Sequence, residues 1–171
     1  MDNASKAFLT EHKDKLGGRV LEIGSLNVNG SVREVIDVAV GVDMRHGRGV
    51  DIVCDVAKLV GYFPVESFDA CVSVGTLEHV KDWQGFILTT WDMVKEGGYL
   101  VMTMASMDKG RHSYPDDYWR FTEDQIRGIY PKAEWVGNFA KPGKMKSVSI
   151  GWVVKKEGEL GSLDFEPIKV K

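Results

Sequence analysis

The sequence predicts a single α/β domain on a mostly parallel sheet with helices on both faces, and three observations carry that prediction. Apolar runs of strand length recur along the chain, near-continuous rather than alternating, as in strands buried on both faces. Segments with helical spacing of apolar residues separate them, which is the order of a parallel sheet joined by crossover helices. Glycine, at 19 of 171 residues, exceeds the usual share of about 7% and gathers at the junctions between those segments. Such a distribution implies tight turns, or backbone brought close to a ligand.

Taken in order, residues 2–16 place Phe8, Leu9, His12 and Leu16 at helical spacing before Gly17 and Gly18 stop the helix. Arg19–Ile23 is the first strand, ended by Gly24. After the loop from Ser25 to Gly30, Ser31 is placed to cap a helix with Val32, Val35, Ile36 and Val38 on its apolar face. Val40–Asp43 and Val50–Cys54 read as the second and third strands, and Val56–Tyr62 as a short helical crossover that ends before Pro64. Phe68–Val74 is the fourth strand, ended by Gly75. The helical period returns over Trp83–Val94 with Gly97 and Gly98 as its stop, and Tyr99–Met104 is the fifth strand. Residues 105–120 form a long polar and aromatic loop, of the kind that carries function in compact domains. Thr122 caps a helix through Tyr130, and Ala133–Phe139 with Ser147–Val154 make an antiparallel pair about the turn Lys141-Pro142-Gly143-Lys144. The tail 157–171 carries Gly158, Gly161 and Pro167 and is expected to be loosely held, leaving one domain over 1–171 with its core in 19–154.

Lys and Arg number 22 against 25 Asp and Glu, a net charge of −3, which gives no general attraction to nucleic acid or anionic membrane. The apolar runs fall far short of the roughly 20 residues of a membrane-spanning helix. The N-terminal segment is too charged for a signal peptide, so a cytoplasmic protein is expected. Cys54 and Cys71 lie in apolar stretches without the spacing of a zinc site or a disulfide framework, so buried free thiols and no metal are expected.

Ligands of an open parallel sheet bind beyond the carboxyl ends of its strands, where strand order reverses. Those ends are Glu22-Ile23-Gly24, Asp43, Asp55 and Ser73-Val74-Gly75-Thr76. Gly24 lets a ligand approach the backbone, Gly30-Ser31 opens a helix whose amides can face an anion, and Asp43 is placed to accept from both hydroxyls of a ribose. Singly, each has a plainer reading: a strand-to-helix turn for Gly24, solvated strand ends for Asp43 and Asp55. As an ordered set they describe an adenosine-type cofactor pocket, with Ser25, Asn27, Met44, Val56, Val74, Gly75 and Thr76 about it.

In this arrangement the chain resembles the class I S-adenosylmethionine-dependent methyltransferases, in particular the compact methyltransferase type 11-like kind with Glu-His-Val after the fourth strand. The resemblance runs from Arg19 to Val154. It rests on Val20-Leu21-Glu22-Ile23-Gly24, Gly41-Val42-Asp43, Asp51-Ile52-Val53-Cys54-Asp55, Phe68-Asp69-Ala70-Cys71-Val72-Ser73 with Leu77-Glu78-His79-Val80, and Val94-Lys95-Glu96-Gly97-Gly98-Tyr99-Leu100. It implies a Rossmann-like methyltransferase fold with seven strands ordered 3-2-1-4-5-7-6, the last antiparallel, and S-adenosyl-L-methionine as cofactor. One departure is that Leu26 stands at the second glycine of the family's acid-x-Gly-x-Gly-x-Gly loop and Gly30 comes late, with Asn27 or Asn29 suited to a left-handed turn. An acid after the second strand serves any ribose, so a nicotinamide dinucleotide is the alternative cofactor, although the Gly-x-Gly-x-x-Gly that meets a pyrophosphate is missing. A binding module without catalysis is the third reading.

Methyl transfer from a sulfonium needs a positioned acceptor and, at most, one base. His79, just beyond the fourth strand, has a suitable pKa for that base, or else simply bonds backbone in the turn. The stretch Arg111–Phe121 combines aromatics with both charge signs, and similar stretches occur in relatives of this type. The resemblance implies an acceptor-side lid in which His112, Tyr114, Asp117, Tyr118 and Arg120 face the pocket while Trp119 and Phe121 join the core. The chain has neither the Asn/Asp-Pro-Pro-aromatic element of exocyclic-amine nucleic-acid methyltransferases nor the cysteine of cytosine-carbon ones. A small-molecule or saccharide-type acceptor is expected, held by loops of the same domain.

Overall fold

The computed structural model describes residues 1–112, 116–140 and 147–170. Its main sheet contains β1 (Val20–Ile23), β2 (Val40–Asp43), β3 (Ile52–Val53), β4 (Phe68–Val74), β5 (Val94–Ala105), β7 (Ala133–Ala140) and β8 (Ser147–Lys155). Their spatial order is β3-β2-β1-β4-β5-β8-β7, with β8 antiparallel to both neighbours and the first five strands parallel. This is the expected 3-2-1-4-5-7-6 order. It differs only in that a small sheet of β6 (Trp119–Arg120) and β9 (Ile168–Lys169) stands apart.

Period-two alternation along the strands sends side chains to two cores. Leu21, Ile23, Cys71, Leu100 and Met102 pack on one face beneath α2 (Trp83–Met93) and α3 (Glu123–Ile129). Val20, Ala70, Val72 and Val101 pack on the other face beneath Phe8 and Leu9 of α1 (Asn3–Glu11). Helices thus cover both faces, and the same alternation turns Glu22 toward the α1 side with Val20. Cys54 and Cys71 are buried free thiols.

Four local expectations change. Ser31 does start a turn, with Glu34 completing a capping box, but it runs only over Val32–Glu34 as a 3-10 turn. The start signal is sound; the β-branched Val32, Val35, Ile36 and Val38, with Asp37 among them, do not propagate an α-helix. Gly97 and Gly98 end no helix: α2 stops at Met93 and both glycines lie inside β5. The third strand is two residues long, and Asp51 just before it still bonds β2 twice, donating its amide to the carbonyl of Gly41 at 2.8 Å and accepting from the Gly41 amide through its carboxylate. The tail is held rather than loose. Leu160, Leu163 and Phe165 pack on the core and Pro167 is buried. In addition, Val170 donates to the carbonyl of Tyr118 at 3.0 Å, beside the β6–β9 pair. The turn 141–144 lies outside the described residues.

Candidate functional site

The carboxyl ends of β1, β2 and β4 are level, since Ile23 stands beside Val42 on one side and Ser73 on the other. Gly24 leaves β1 with φ +79°, and a Cβ there would lie 2.0 Å from Oγ1 of Thr76. Thr76 in turn donates to the carbonyl of Ile23 at 3.3 Å, as Ser73 does at 2.9 Å. Glycine is therefore required by both conformation and space, and the loop after β4 is locked against the end of β1.

The chain beyond Gly24 is short of glycine, and the close approach is supplied from the other side. The amide of Asn27 donates to the carbonyl of Arg48 at 2.9 Å. Gly49, at φ +92°, passes so near that a Cβ would sit 2.6 Å from the carbonyl oxygen of Ser25. The loop 44–50 thus closes on 25–27, and Asp43 fastens the two: its carboxylate accepts from the amides of Leu26 at 3.3 Å and Arg45 at 2.9 Å. Neither Asn27 nor Asn29 is left-handed; Asn27 instead accepts from the amide of Gly30 through its side chain at 3.0 Å. Gly30 has φ +106°, but the turn after it is too short to present a helix end.

Acids dominate this edge. Glu22 is buried, its Oε2 has no hydrogen-bond partner, and burial pushes its carboxyl up to about 7, with Arg33 pulling the other way. Ser25 is buried beside it with its hydroxyl unpartnered. Asp51 accepts from the amide of Gly41 at 2.7 Å and is paired with Arg33. Asp55 caps the 3-10 turn Val56–Gly61. Val56 is buried, Val74 half-buried, and Met44 and Gly75 are exposed. A cavity of about 300 Å³ lies alongside, lined by Asn27, Ser31, Arg33, Glu34, Arg48 and Gly49. Another of about 410 Å³, lined among others by Leu16, Gly18 and Ile36, opens at the amino end of β1, away from these groups.

Beyond β4, the 3-10 turn Leu77–His79 carries Glu78 and His79. Nδ1 of His79 is 2.7 Å from the carbonyl oxygen of Asp116, and its Nε2 is 3.1 Å from Nε2 of His112. Glu78 is buried; one carboxylate oxygen accepts from the amide of Ala105 at 3.0 Å, the other has no partner, and burial pushes its pKa up. Tyr118 donates its amide to the carbonyl of Glu78 at 2.8 Å, and Trp119 its indole N–H to that of Val80 at 2.9 Å. The segment 116–120 is thereby sewn onto the turn that carries His79.

Two residues expected to face the pocket do not. Asp117 and Arg120, each 3% exposed, form a two-point ion pair, with Arg120 also donating to the carbonyl of Trp119 at 2.8 Å. Their opposite charges, three residues apart, satisfy each other and are buried together as a clamp. His112 and Tyr118 are half-buried; Phe121 is core, as expected; Tyr114 lies outside the described residues. No sequence spacing indicated a metal site, yet Glu78, His79 and His112 are brought together by the fold.

Residues 30–102 match the methyltransferase domain family. Over that stretch the chain is similar to a methyltransferase domain, on the fold of the class I, S-adenosylmethionine-dependent methyltransferases. No curated protein sequence matches it. Among solved structures, the chain is similar to 1,6-didemethyltoxoflavin-N1-methyltransferase of Burkholderia thailandensis, at 14% identity over 90% of this chain and 77% of that one, with a TM-score of 0.67. A SAM-dependent methyltransferase of Archaeoglobus fulgidus gives 12% identity, 89% and 93% coverage and a TM-score of 0.63. A possible histamine N-methyltransferase of Thermotoga maritima gives 18%, 90%, 94% and 0.61. At these identities the structures establish the fold, while the family match favours S-adenosylmethionine over the dinucleotide alternative.

The chain's own residues fit that cofactor. Two buried polar atoms, Oε2 of Glu22 and Oγ of Ser25, lack partners at the end of β1. The Asp43 carboxylate, with four lone-pair positions and two amide donors, keeps acceptor capacity for a ribose. An edge rich in carboxylates also suits a cationic ligand.

Proposed function

We propose that the chain is an S-adenosylmethionine-dependent methyltransferase that transfers the cofactor's methyl group to a small-molecule or saccharide-type acceptor. The observation that carries this reading is the acceptor side: one segment, 116–120, is fixed to the His79 turn by one backbone bond and by the His79 ring and the Trp119 indole on backbone carbonyls, giving a confined rim. The bound 1,6-didemethyltoxoflavin of the Burkholderia neighbour is an acceptor of that class.

On this reading Glu22, Gly24, Ser25, Asn27 and Gly30 hold the amino-acid end of the cofactor. Asp43 and Met44 meet the ribose, and Asp55, Val56, Val74, Gly75 and Thr76 border the adenine and the cleft rim. The cofactor supplies an activated methyl group on its sulfonium, so the protein's work is to orient the acceptor and take up its proton. His79 is placed for that: its Nδ1 hydrogen is committed to the Asp116 carbonyl, leaving Nε2 as an acceptor on the side of His112. His112 and Tyr118 border the acceptor, while Asp117 and Arg120 hold the rim in shape from beneath.

Calorimetry of the purified chain with S-adenosylmethionine, S-adenosylhomocysteine and NAD, followed by S-adenosylhomocysteine release on addition of fractionated polar metabolites, tests the proposal. Binding of the first two and turnover with a small-molecule fraction are expected. Turnover confined to a nucleic-acid or protein fraction would remove the acceptor assignment.

A further inference from the structure

Three side chains beyond the carboxyl end of β4 converge on one point. A carboxylate oxygen of Glu78 and one ring nitrogen each of His79 and His112 all lie within 4.8 Å of one another. Glu78 is only 2% exposed, and its Oε2 has no donor. A buried carboxylate oxygen left bare is costly unless something electropositive meets it.

The two imidazoles want the same thing. Nδ1 of His79 faces the Asp116 carbonyl oxygen at 2.7 Å, so Nδ1 carries the hydrogen and Nε2 a lone pair. Nδ1 of His112 lies 2.9 Å from Oδ2 of Asp117, off the hydrogen-bond axis, and that carboxylate favours the hydrogen on Nδ1 there too. The lone pairs of both Nε2 atoms are then turned toward each other across 3.1 Å. Two imidazole nitrogens on one tetrahedral zinc, each about 2.0–2.1 Å from it, are about 3.3 Å apart. The outer partners are also those of metal-bound histidines, one imidazole on a carboxylate and the other on a backbone carbonyl.

We propose that Glu78, His79 and His112 form a binding site for one divalent first-row transition cation, with Asp117 and the carbonyl of Asp116 fixing the two imidazoles. Two nitrogens and one carboxylate suit zinc, cobalt, manganese or iron(II) better than calcium or magnesium, which take oxygen ligands. Three protein ligands leave coordination positions open, and the His112 side chain is 29% exposed, so the site is reached from solvent. Under the methyl-transfer reading, on which this one role rests, a bound cation would polarise an acceptor hydroxyl, with His79 serving as its ligand through the same Nε2 that takes up the proton in the cation-free chain. Cation binding itself does not depend on that reading.

The test is made on the full chain, stripped with a chelator and titrated with Co²⁺ and Zn²⁺ without cofactor or acceptor, followed by visible absorption and calorimetry. One Co²⁺ per chain is expected, with the absorption of a four- or five-coordinate ion. His112→Ala and Glu78→Gln should each weaken binding about 100-fold, beyond the effect usual for outer partners. His46→Ala should leave it unchanged. Glu78→Gln keeps the side chain's shape and its bond to Ala105, and thermal melts show which variants are folded. Absence of stoichiometric binding, or equal binding by folded His112→Ala and Glu78→Gln chains, overturns the site. Co²⁺ binding by a chain that fails to bind S-adenosylhomocysteine would keep the site and sink the methyl-transfer reading.

Discussion

Nε2 of His79 lies 3.1 Å from Nε2 of His112, although 33 residues separate them in the chain. The contact joins the turn after β4 to the loop after β5, and His79 stands three residues beyond Thr76, which locks that turn against Gly24. The cofactor and acceptor edges of the proposed function therefore meet through a few residues. His79→Ala should lower turnover about 100-fold or more, the size of a lost general acid–base group, with S-adenosylhomocysteine affinity changed by less than about twofold. Parallel calorimetry and turnover measurements check it; a large loss of cofactor affinity would show that His79 shapes the cofactor site instead.

The Asp117–Arg120 clamp predicts a stability effect separate from chemistry. Asp117→Ala leaves a guanidinium 3% exposed without its carboxylate, which should cost about 3–5 kcal/mol. Urea unfolding measures it. Asp117→Ala combined with Arg120→Met should recover a large part of that loss, because removing both charges removes the stranded one.

The contrast between these residues shows which features were legible in the sequence. β4, α2 and α3 could be read because their signals are local: a seven-residue apolar run, a helical period after Asp82, and a Thr122–Gln125 capping box. The segment after Gly30 had an equally good start signal at Ser31 but lacked the side chains to continue it. Asp117 and Arg120 read as pocket groups because a sequence shows charge and not mutual neutralisation. Gly49 carries no local signal at all: it is needed because the backbone of Ser25, 24 positions earlier, passes against it. The acids proposed for the cofactor sit at strand ends and follow from the sheet; the Glu78–His79–His112 group depends on where a long loop returns, which no local pattern records.

Gly24 is the most sensitive backbone position of the cofactor edge. Gly24→Ala forces a Cβ onto a left-handed residue at φ +79° and against Thr76. A loss of about 1–3 kcal/mol in stability is expected from the conformation alone. Binding of S-adenosylhomocysteine should fall below detection, because the Thr76 turn must shift. Pairing Gly24→Ala with Thr76→Ala should relieve the contact and leave the conformational part, so recovery in urea midpoint without full recovery is the expected reading.

Asp43 joins two loops and is the ribose acid of the proposed function. Asp43→Asn keeps one oxygen acceptor but removes the charge, so the Leu26 and Arg45 amides are served unequally. S-adenosylhomocysteine affinity should drop about 10-fold or more, as for loss of a charged hydrogen bond. Calorimetry at fixed pH checks it, and unchanged affinity would take Asp43 out of the cofactor site.

Glu22 predicts a pH dependence whose sign is fixed by burial. Its carboxyl is raised from 4.5 to about 7, first by desolvation, so in the folded chain it keeps its proton where the unfolded chain has lost it. Between those two values the folded state binds more protons, and stability falls as pH rises. The contribution is therefore complete below about pH 4.5 and gone above about pH 7, an effect of roughly 3 kcal/mol. Glu22→Gln removes the ionisation while keeping the shape. The variant should match the parent near pH 4.5, exceed it by up to that amount at pH 8, and show a flatter curve of unfolding free energy against pH between them. Urea titrations at a series of pH values measure the difference directly, and a parent curve that rises across this window would place a solvated, ionised carboxylate at the end of β1.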